Sequence, residues 1–303
     1  MEHRYILHFL TPARHASPFD VNMALDAGFD SVMPYTQVTI DDVAPLTQDA
    51  IFSRGPNGVR RTGIFIGGRE VELAHEMLET AQAAMVPPFE ASVFADPSGA
   101  YTTAAAMVAE VERLLRACNR AGLQGLNVVV YGIGPVGVCS AVLAAGAGAQ
   151  VTIVSHNSEV RARSVAAMCQ ARFGAMIRGR SASDSEQKRS MLGDCHVLLS
   201  CGKAGVRLFS RDELAAAREL LVAADVNAVP PEGIEGVGAM DRGKPLVAGS
   251  GRALGIGALA IGNVKFKVQR ALFEKMRSSD RPVFLDFRDA FELARELSPD
   301  SGH

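Results

Sequence analysis

The stretch LNVVVYGIGPVGVCSAVLAAGAGA, residues 126–149, constrains the fold more than any other part of this chain. A β-branched run ends at Tyr131, glycines follow at 132, 134 and 137, and an alanine-rich apolar segment comes next. A buried strand, a tight turn and a helix packed back on the strand satisfy all of this at once. Each glycine has its own reason: Gly132 allows the turn, Gly134 lets a pyrophosphate approach the backbone, and Gly137 lets helix and strand come close. Ile133, Pro135 and Val136 complete the loop and open the helix, whose first N–H groups and positive dipole end suit an anion. The spacing predicts a dinucleotide-binding unit.

The segments on either side alternate in the same way. Upstream, the strand-like YILHFL, TGIFIGG and ASVFAD are each followed by a helical pattern: PFDVNMALDAG, REVELAHEMLETAQAAM and YTTAAAMVAEVERLLRAC. Thr39 followed by Asp41 and Asp42 marks a further helix start, and Gly122 is expected to close the long helix. After the joint AGLQG the rhythm restarts, with strands expected at LNVVVYG, QVTIVS, 175–178, CHVLLSCG, LLVAADVN and KPLVAG. The glycine-laden GIGALAIGNVKFKVQRALFEKM reads as a long helix. The expected fold is α/β with two domains: an N-terminal parallel α/β domain over 1–120 and a Rossmann-type doubly wound NAD(P)-binding domain over 121–279. By analogy with two-domain dehydrogenases, the last segment, 280–303 with its helix FLDFRDAFELARELS, is expected to return to the first domain.

Composition removes several other classes. The 303 residues are 48% hydrophobic and 21% charged with a net charge of -2. Without a basic block there is no footprint for nucleic acid. No apolar run approaches the ~18 residues of a membrane span, and MEHRYILHFLTPARH lacks the pattern of a secretory signal, so a cytoplasmic protein is expected. The five cysteines, 118, 139, 169, 195 and 201, form no C-x-x-C pair, so no metal site is expected.

The strand QVTIVS ends at Ser155, where a carboxylate would usually hold the ribose hydroxyls and repel a 2′-phosphate. Here His156 and Asn157 follow, and Arg161 or Arg163 could pair with a phosphate. The expected cofactor is NADP, with NAD as a second acceptor. SCGKAG and DVNAVPPEGI each follow a strand and should emerge at the carboxyl edge of the sheet, where ligands of open α/β sheets bind. Cys201, Gly202, Asn227 and Ala228 are therefore candidates for lining the nicotinamide half. Cys201 has no evident base beside it that would make it a nucleophile.

The six lysines are Lys188, Lys203, Lys244, Lys265, Lys267 and Lys275, so none lies in the first 187 residues. On the helix after residue 255, Lys265 and Lys267 are two apart and face different directions.

Taken together, SPFDVNMALDAGFD, LTQDAIFSRGP, RTGIFIGG, FADPSGAYTTAAAMVAEV, GIGPVG, VAADVNAVPPEGI and GIGALAIGNVKFK resemble the NAD(P)-dependent methylene-tetrahydromethanopterin dehydrogenases of methylotrophic bacteria. The likeness runs from about residue 4 to residue 297. It implies oxidation of the methylene bridge of a tetrahydromethanopterin-type pterin to the methenyl form, with hydride passing directly to NADP or NAD. It also implies that Lys265, in GNVKFK, lies at the substrate, that Asp96, Thr102 and Thr103 of DPSGAYTT face it, and that the protein is a homo-oligomer. Asp20 is a further candidate for the donor edge of the pterin.

Two alternatives share this outline. Shikimate-type and folate-type dehydrogenases use a lysine in the first domain, which this chain lacks; methylene-tetrahydrofolate nevertheless stays open as a substrate. An NADP-sensing relative without turnover would tolerate loss of Lys265, and the retention of VNAVPPEG and GNVKFK favours an enzyme.

Overall fold

In the computed structural model, residues 4–298 are described. Residues 1–3 and 299–303, the ends of the segments expected at 1–120 and 280–303, lie outside the described residues. The strands are β1 (Ile6–Leu10), β2 (Ser31–Tyr35), β3 (Thr62–Ile66), β4 (Ser92–Ala95), β5 (Asn127–Tyr131), β6 (Gln150–Ser155), β7 (Ile177–Ser181), β8 (Val197–Ser200), β9 (Val222–Asp225), β10 (Arg242–Pro245), β11 (Leu254–Ile256) and β12 (Phe284–Leu285). They form two sheets, and the chain divides into two compact units.

The first unit comprises residues 4–102 and 266–290. Its sheet has the order β12-β4-β3-β1-β2, and every pair is parallel. β3 and β4 are buried throughout, as inner strands of a sheet covered by helices should be. One face carries an aromatic cluster, Phe9, Phe65, Phe94 and Phe273, with ring centroids 4.9–5.3 Å apart. Each such buried ring contributes about 2 kcal/mol through apolar area removed from water.

The helix starts follow from local sequence. Ser17 caps Pro18–Asp26 by accepting from the Asp20 N–H at 3.3 Å, with Pro18 at the position where a missing N–H costs nothing. Thr39 and Asp42 form a reciprocal capping box on Ile40–Phe52.

The second unit comprises residues 103–265 and 291–298. Its sheet runs β10-β11-β9-β8-β5-β6-β7. All neighbours are parallel except β10, an antiparallel edge strand. The central order β7-β6-β5-β8-β9-β11 is the 3-2-1-4-5-6 order of a Rossmann sheet, which reverses between β5 and β8. Helices Pro135–Gly146, Glu159–Phe173 and Ser185–Leu192 connect its first strands. Gly179 in β7 is needed for this packing, because a Cβ there would lie 2.4 Å from the backbone of Ala162. Among the described residues, no helix is long and apolar enough to cross a membrane.

The structure departs from expectation at several points. The long helix, Ala100–Ala117, is closed by Asn119 rather than Gly122: Asn119 takes a left-handed φ of 58°, and the Arg120 N–H returns to the Leu115 carbonyl at 2.9 Å. Asparagine tolerates that conformation better than other non-glycine residues. β2 and β11 carry too weak a pattern to be read from sequence; β2 includes Pro34, which an edge strand accepts. The strand expected at KPLVAG is β10, starting at Arg242 and ending at Pro245.

The units also divide elsewhere than at residues 120 and 279. Most of Ala100–Ala117 joins the second unit because its buried carboxylates pair there, Glu110 with Arg242 and Glu112 with Arg295. Residues 266–278 join the first because Phe273 enters its aromatic cluster and Gln269 reaches Asp20. The final helix, Phe287–Leu297, is assigned to the second unit from Phe291 onward.

Candidate functional site

In the second unit, the three glycines sit in three different environments. Gly132 has a φ of +128°, and a Cβ there would lie 2.3 Å from the Cys201 carbonyl oxygen. A Cβ on Gly137 would lie 2.0 Å from the Gly132 carbonyl oxygen. Gly134 has nothing within 4 Å of its Cβ position. Two glycines are thus fixed by the protein's own backbone, while the third borders open space at a helix N-terminus. Gly134 is the N-cap residue and Pro135 the first helical residue, so the N–H groups of the first turn beyond Pro135 are free of partners within the helix. Ile133, Pro135 and Val136 are half-buried beside them. This cradle fits a dinucleotide's pyrophosphate: a side chain is absent where the ligand would approach, and a dipole faces it.

At the end of β6, Ser155 is buried and holds the turn. Its hydroxyl donates to Asn157 Oδ1 at 3.3 Å and accepts from the Ser158 N–H at 3.3 Å. Ser158 then caps Glu159–Phe173 by accepting from the Arg161 N–H at 3.2 Å. This leaves His156 and Asn157 exposed beyond the strand. The nearest carboxylate downstream, Glu159, is ion-paired with Arg163. Arg161 is exposed and makes no ion pair among the described residues. The geometry therefore separates two arginines that the sequence left equivalent.

The loops after β8 and β9 are tied to each other. Ser200 and Asp225 close their strands in register, and Ser200 Oγ donates to Asp225 Oδ1 at 2.9 Å. Asp225 also accepts from the backbone N–H groups of Asn227 (3.1 Å), Gly233 (2.7 Å) and Ile234 (3.1 Å). Burial raises the Asp225 carboxyl above its ordinary value, although these four donors act to lower it. Asn227 is also buried, and its amide is spent inside the loops: Oδ1 accepts from Gly205 and Val229, and Nδ2 donates to the Pro231 carbonyl. Its side chain shapes the loop, and the residues that follow, from Ala228 to Glu232, are exposed.

Cys201 is buried beside Gly132, and Gly202 follows it, with a Cβ position 2.5 Å from Leu208. Burial pushes the Cys201 thiol up to about 12, so it is not a thiolate at neutral pH and does not suit a nucleophile.

The residues expected at the substrate divide between the units. In the first unit, Asp20 is buried and Oδ1 accepts from Gln269 Nε2 at 2.7 Å; Ser17, not Asp20, is the helix cap. Asp96 directly follows β4, is fully buried, and accepts from the N–H groups of Tyr101 and Thr102 and from Thr102 Oγ1 at 2.7 Å. Asp96 and Thr102 thereby fix the start of the long helix. Thr103 and Lys265 belong to the second unit and are half-buried, whereas Lys267 is exposed. Among the described residues, no group of three or more His, Cys, Asp or Glu side chains could hold a metal ion.

Sequence reading missed Ser200 and Asp225. The signal was present: VLLS and VAAD are apolar strands that each end on one polar residue.

Comparison with known proteins gives two kinds of likeness. The family described as methylene-tetrahydromethanopterin dehydrogenase, N-terminal, matches residues 18–98. Over 296 residues, 97% of this chain and 99% of the relative, the chain is 49% identical to the NAD(P)-dependent methylenetetrahydromethanopterin dehydrogenase of Methylorubrum extorquens strain AM1. It is 32% identical to bifunctional protein MdtA of the same organism, covering 98% of this chain and 100% of that one. Among solved structures, the shikimate 5-dehydrogenase of Listeria monocytogenes in complex with shikimate and NAD aligns with a TM-score of 0.51 at 12% identity, covering 97% of this chain and 96% of that one. That last likeness concerns the fold alone.

Proposed function

The chain belongs to the family of NAD(P)-dependent methylene-tetrahydromethanopterin dehydrogenases, and on that premise we propose how its residues serve the reaction. It oxidises methylene-tetrahydromethanopterin to the methenyl form and reduces NADP or NAD. The observation that carries this reading is the 49% identity along nearly the whole of both chains.

The chemistry asks little of acids and bases. The methylene carbon lies between two nitrogens whose lone pairs stabilise the cation left when a hydride departs, so no proton is released and no general base is required. The nicotinamide supplies the hydride acceptor. The chain's part is to bind, to orient and to exclude water.

The cradle at Gly132, Gly134 and Gly137, with Ile133, Pro135 and Val136, would hold the pyrophosphate. His156, Asn157 and Arg161 would receive the ribose and its 2′-phosphate, because the strand end carries no free carboxylate to repel one. Cys201, Gly202, Asn227 and Ala228 would border the nicotinamide half, Asn227 through its backbone and the shape of its loop.

Lys265 is the residue we assign to the substrate. An ammonium beside a forming cation opposes the reaction, so Lys265 either is neutral there or grips a carbonyl oxygen of the pterin, away from the reacting carbon. Asp96, Thr102 and Thr103 would face the substrate, as the resemblance of DPSGAYTT to the family implies, and Asp20 would meet the donor edge of the pterin. The buried, mutually bonded Asp96 and Thr102 would act by holding the backbone that meets it. A cytoplasmic homo-oligomer is part of the same proposal; five free cysteines, four of them buried, suit a reducing compartment.

The test is an assay of purified protein with methylene-tetrahydromethanopterin and methylene-tetrahydrofolate, each with NAD and NADP. Reduced cofactor with the methanopterin substrate is expected, and none with any of the four pairs would overturn the reading. Light scattering after size exclusion checks the oligomer.

A further inference from the structure

We propose that Asp225 is a positioning residue for hydride transfer: its carboxylate fixes the loop 226–234 that borders the nicotinamide half of the dinucleotide site. This deepens the dehydrogenase reading and rests on it.

The arrangement is unusually complete for one side chain. Asp225 is 1% exposed and receives four hydrogen bonds, two on each oxygen. Every donor is fixed: one hydroxyl on the neighbouring strand, Ser200, and three backbone N–H groups that span the loop from Asn227 to Ile234. An acceptor-only carboxylate answers all four, whereas an amide would turn an N–H toward two donors. The place has been kept free of competing atoms. A Cβ on Gly233 would lie 2.6 Å from Asp225 Oδ1 and 2.9 Å from Ser200 Oγ. Asn227 extends the tie to the loop after β8 by accepting from the Gly205 N–H at 2.9 Å.

Burying an ionised carboxylate is costly, and hydrophobic packing would hold a loop at lower cost. The device gives position instead. Both loops leave the carboxyl edge on the side of the β5/β8 reversal away from β6 and β7, which serve the adenosine half. Hydride transfer falls steeply with small misplacements of the ring, and Asp225 sets the backbone against which the ring must rest. Asp225 touches neither substrate nor cofactor; it acts through the loop.

The experiment measures binding of NADP and of 2′-phospho-ADP-ribose, which lacks the nicotinamide, together with turnover, in the wild type and in Asp225→Asn, Ser200→Ala, Ser200→Thr and Gly233→Ala. For Asp225→Asn and Gly233→Ala we expect turnover to fall at least about tenfold, NADP affinity to weaken about fivefold or more, and the fragment to bind within about twofold of wild type. Ser200→Ala should show the same split more mildly, and Ser200→Thr, which keeps the donor, should restore it. Equal loss of NADP and fragment, or no change in either, overturns the proposal. If Asp225→Asn does not fold, the Ser200 pair decides. If the wild type reduces no cofactor with the pterin, the dehydrogenase reading fails, while the comparison of NADP with its fragment still decides the role of Asp225.

Discussion

A Cβ on Gly137 would lie 2.0 Å from the carbonyl oxygen of Gly132, so the turn closes only because Gly137 lacks a side chain. Gly134, between them, has open space instead. The same motif therefore contains two glycines that the protein's own backbone requires and one whose missing side chain only open space would meet. Gly137→Ala should destabilise the protein by about 1–3 kcal/mol, as overpacking does. Gly134→Ala should leave the melting temperature within a few degrees yet weaken dinucleotide binding about tenfold. Thermal melts with and without NADP check both, and a Gly134→Ala variant that binds normally would move the pyrophosphate elsewhere.

At the end of β6, Arg161 and Arg163 should behave differently. Arg163 is held by Glu159, whereas Arg161 is available for a bidentate phosphate contact. Arg161→Ala should weaken NADP about tenfold more than NAD, and Arg163→Ala should change their ratio little. His156→Asp or Asn157→Asp should also weaken NADP more than NAD, by restoring the repulsion that a strand-end acid provides. Titration of each variant with both cofactors gives the ratios; equal losses would show that this turn does not meet the 2′-phosphate.

Lys265→Ala should lower turnover at least tenfold, about 1.4 kcal/mol in barrier, with cofactor affinity unchanged. Lys267→Ala, on an exposed position of the same helix, should stay near wild type. Steady-state kinetics of the two variants test the assignment, which fails if they are indistinguishable.

The glycines and the strand order around them were legible because the signal is local: spacing, β-branching and a helix start lie within a few residues. The unit boundaries were not. That Glu110 and Glu112 are held by Arg242 and Arg295, more than a hundred residues later, is a long-range fact that no window of sequence contains. The exchange of Gly122 for Asn119 at a helix end shows a smaller limit, since both residues tolerate the left-handed conformation and only geometry chooses between them. Asp225 shows the limit at the site itself: its strand-end position was visible, but the four donors converging on it are scattered between Ser200 and Ile234.

Glu110 should make stability depend on acid. Burial alone would raise its carboxyl, but hydrogen bonds from Arg242 and Arg113 hold it down to about 2, against an ordinary 4.5. Because the folded value lies below the unfolded one, the ionised pair stabilises the protein above pH 4.5, by on the order of 3 kcal/mol, and that contribution is lost as pH falls toward 2. Glu110→Gln should flatten this part of the stability profile and lower stability at neutral pH by leaving the arginines without their partner. Urea unfolding between pH 2 and pH 7 checks it; parallel profiles for variant and wild type would contradict the assignment.

Cys201 should prove inert. With its thiol pushed up to about 12 by burial, alkylating reagents at neutral pH should label the exposed Cys118 and leave turnover intact, as peptide mapping after treatment would show. Loss of activity that tracks modification of Cys201 would contradict its burial.

The most direct test of the account follows the hydrogen itself. Methylene-tetrahydromethanopterin deuterated at the methylene carbon, oxidised by this protein in ordinary water with NADP or NAD, should yield reduced nicotinamide carrying the deuterium and a methenyl product. Reduced cofactor without the label, or no reduced cofactor at all, would contradict direct hydride transfer from the pterin.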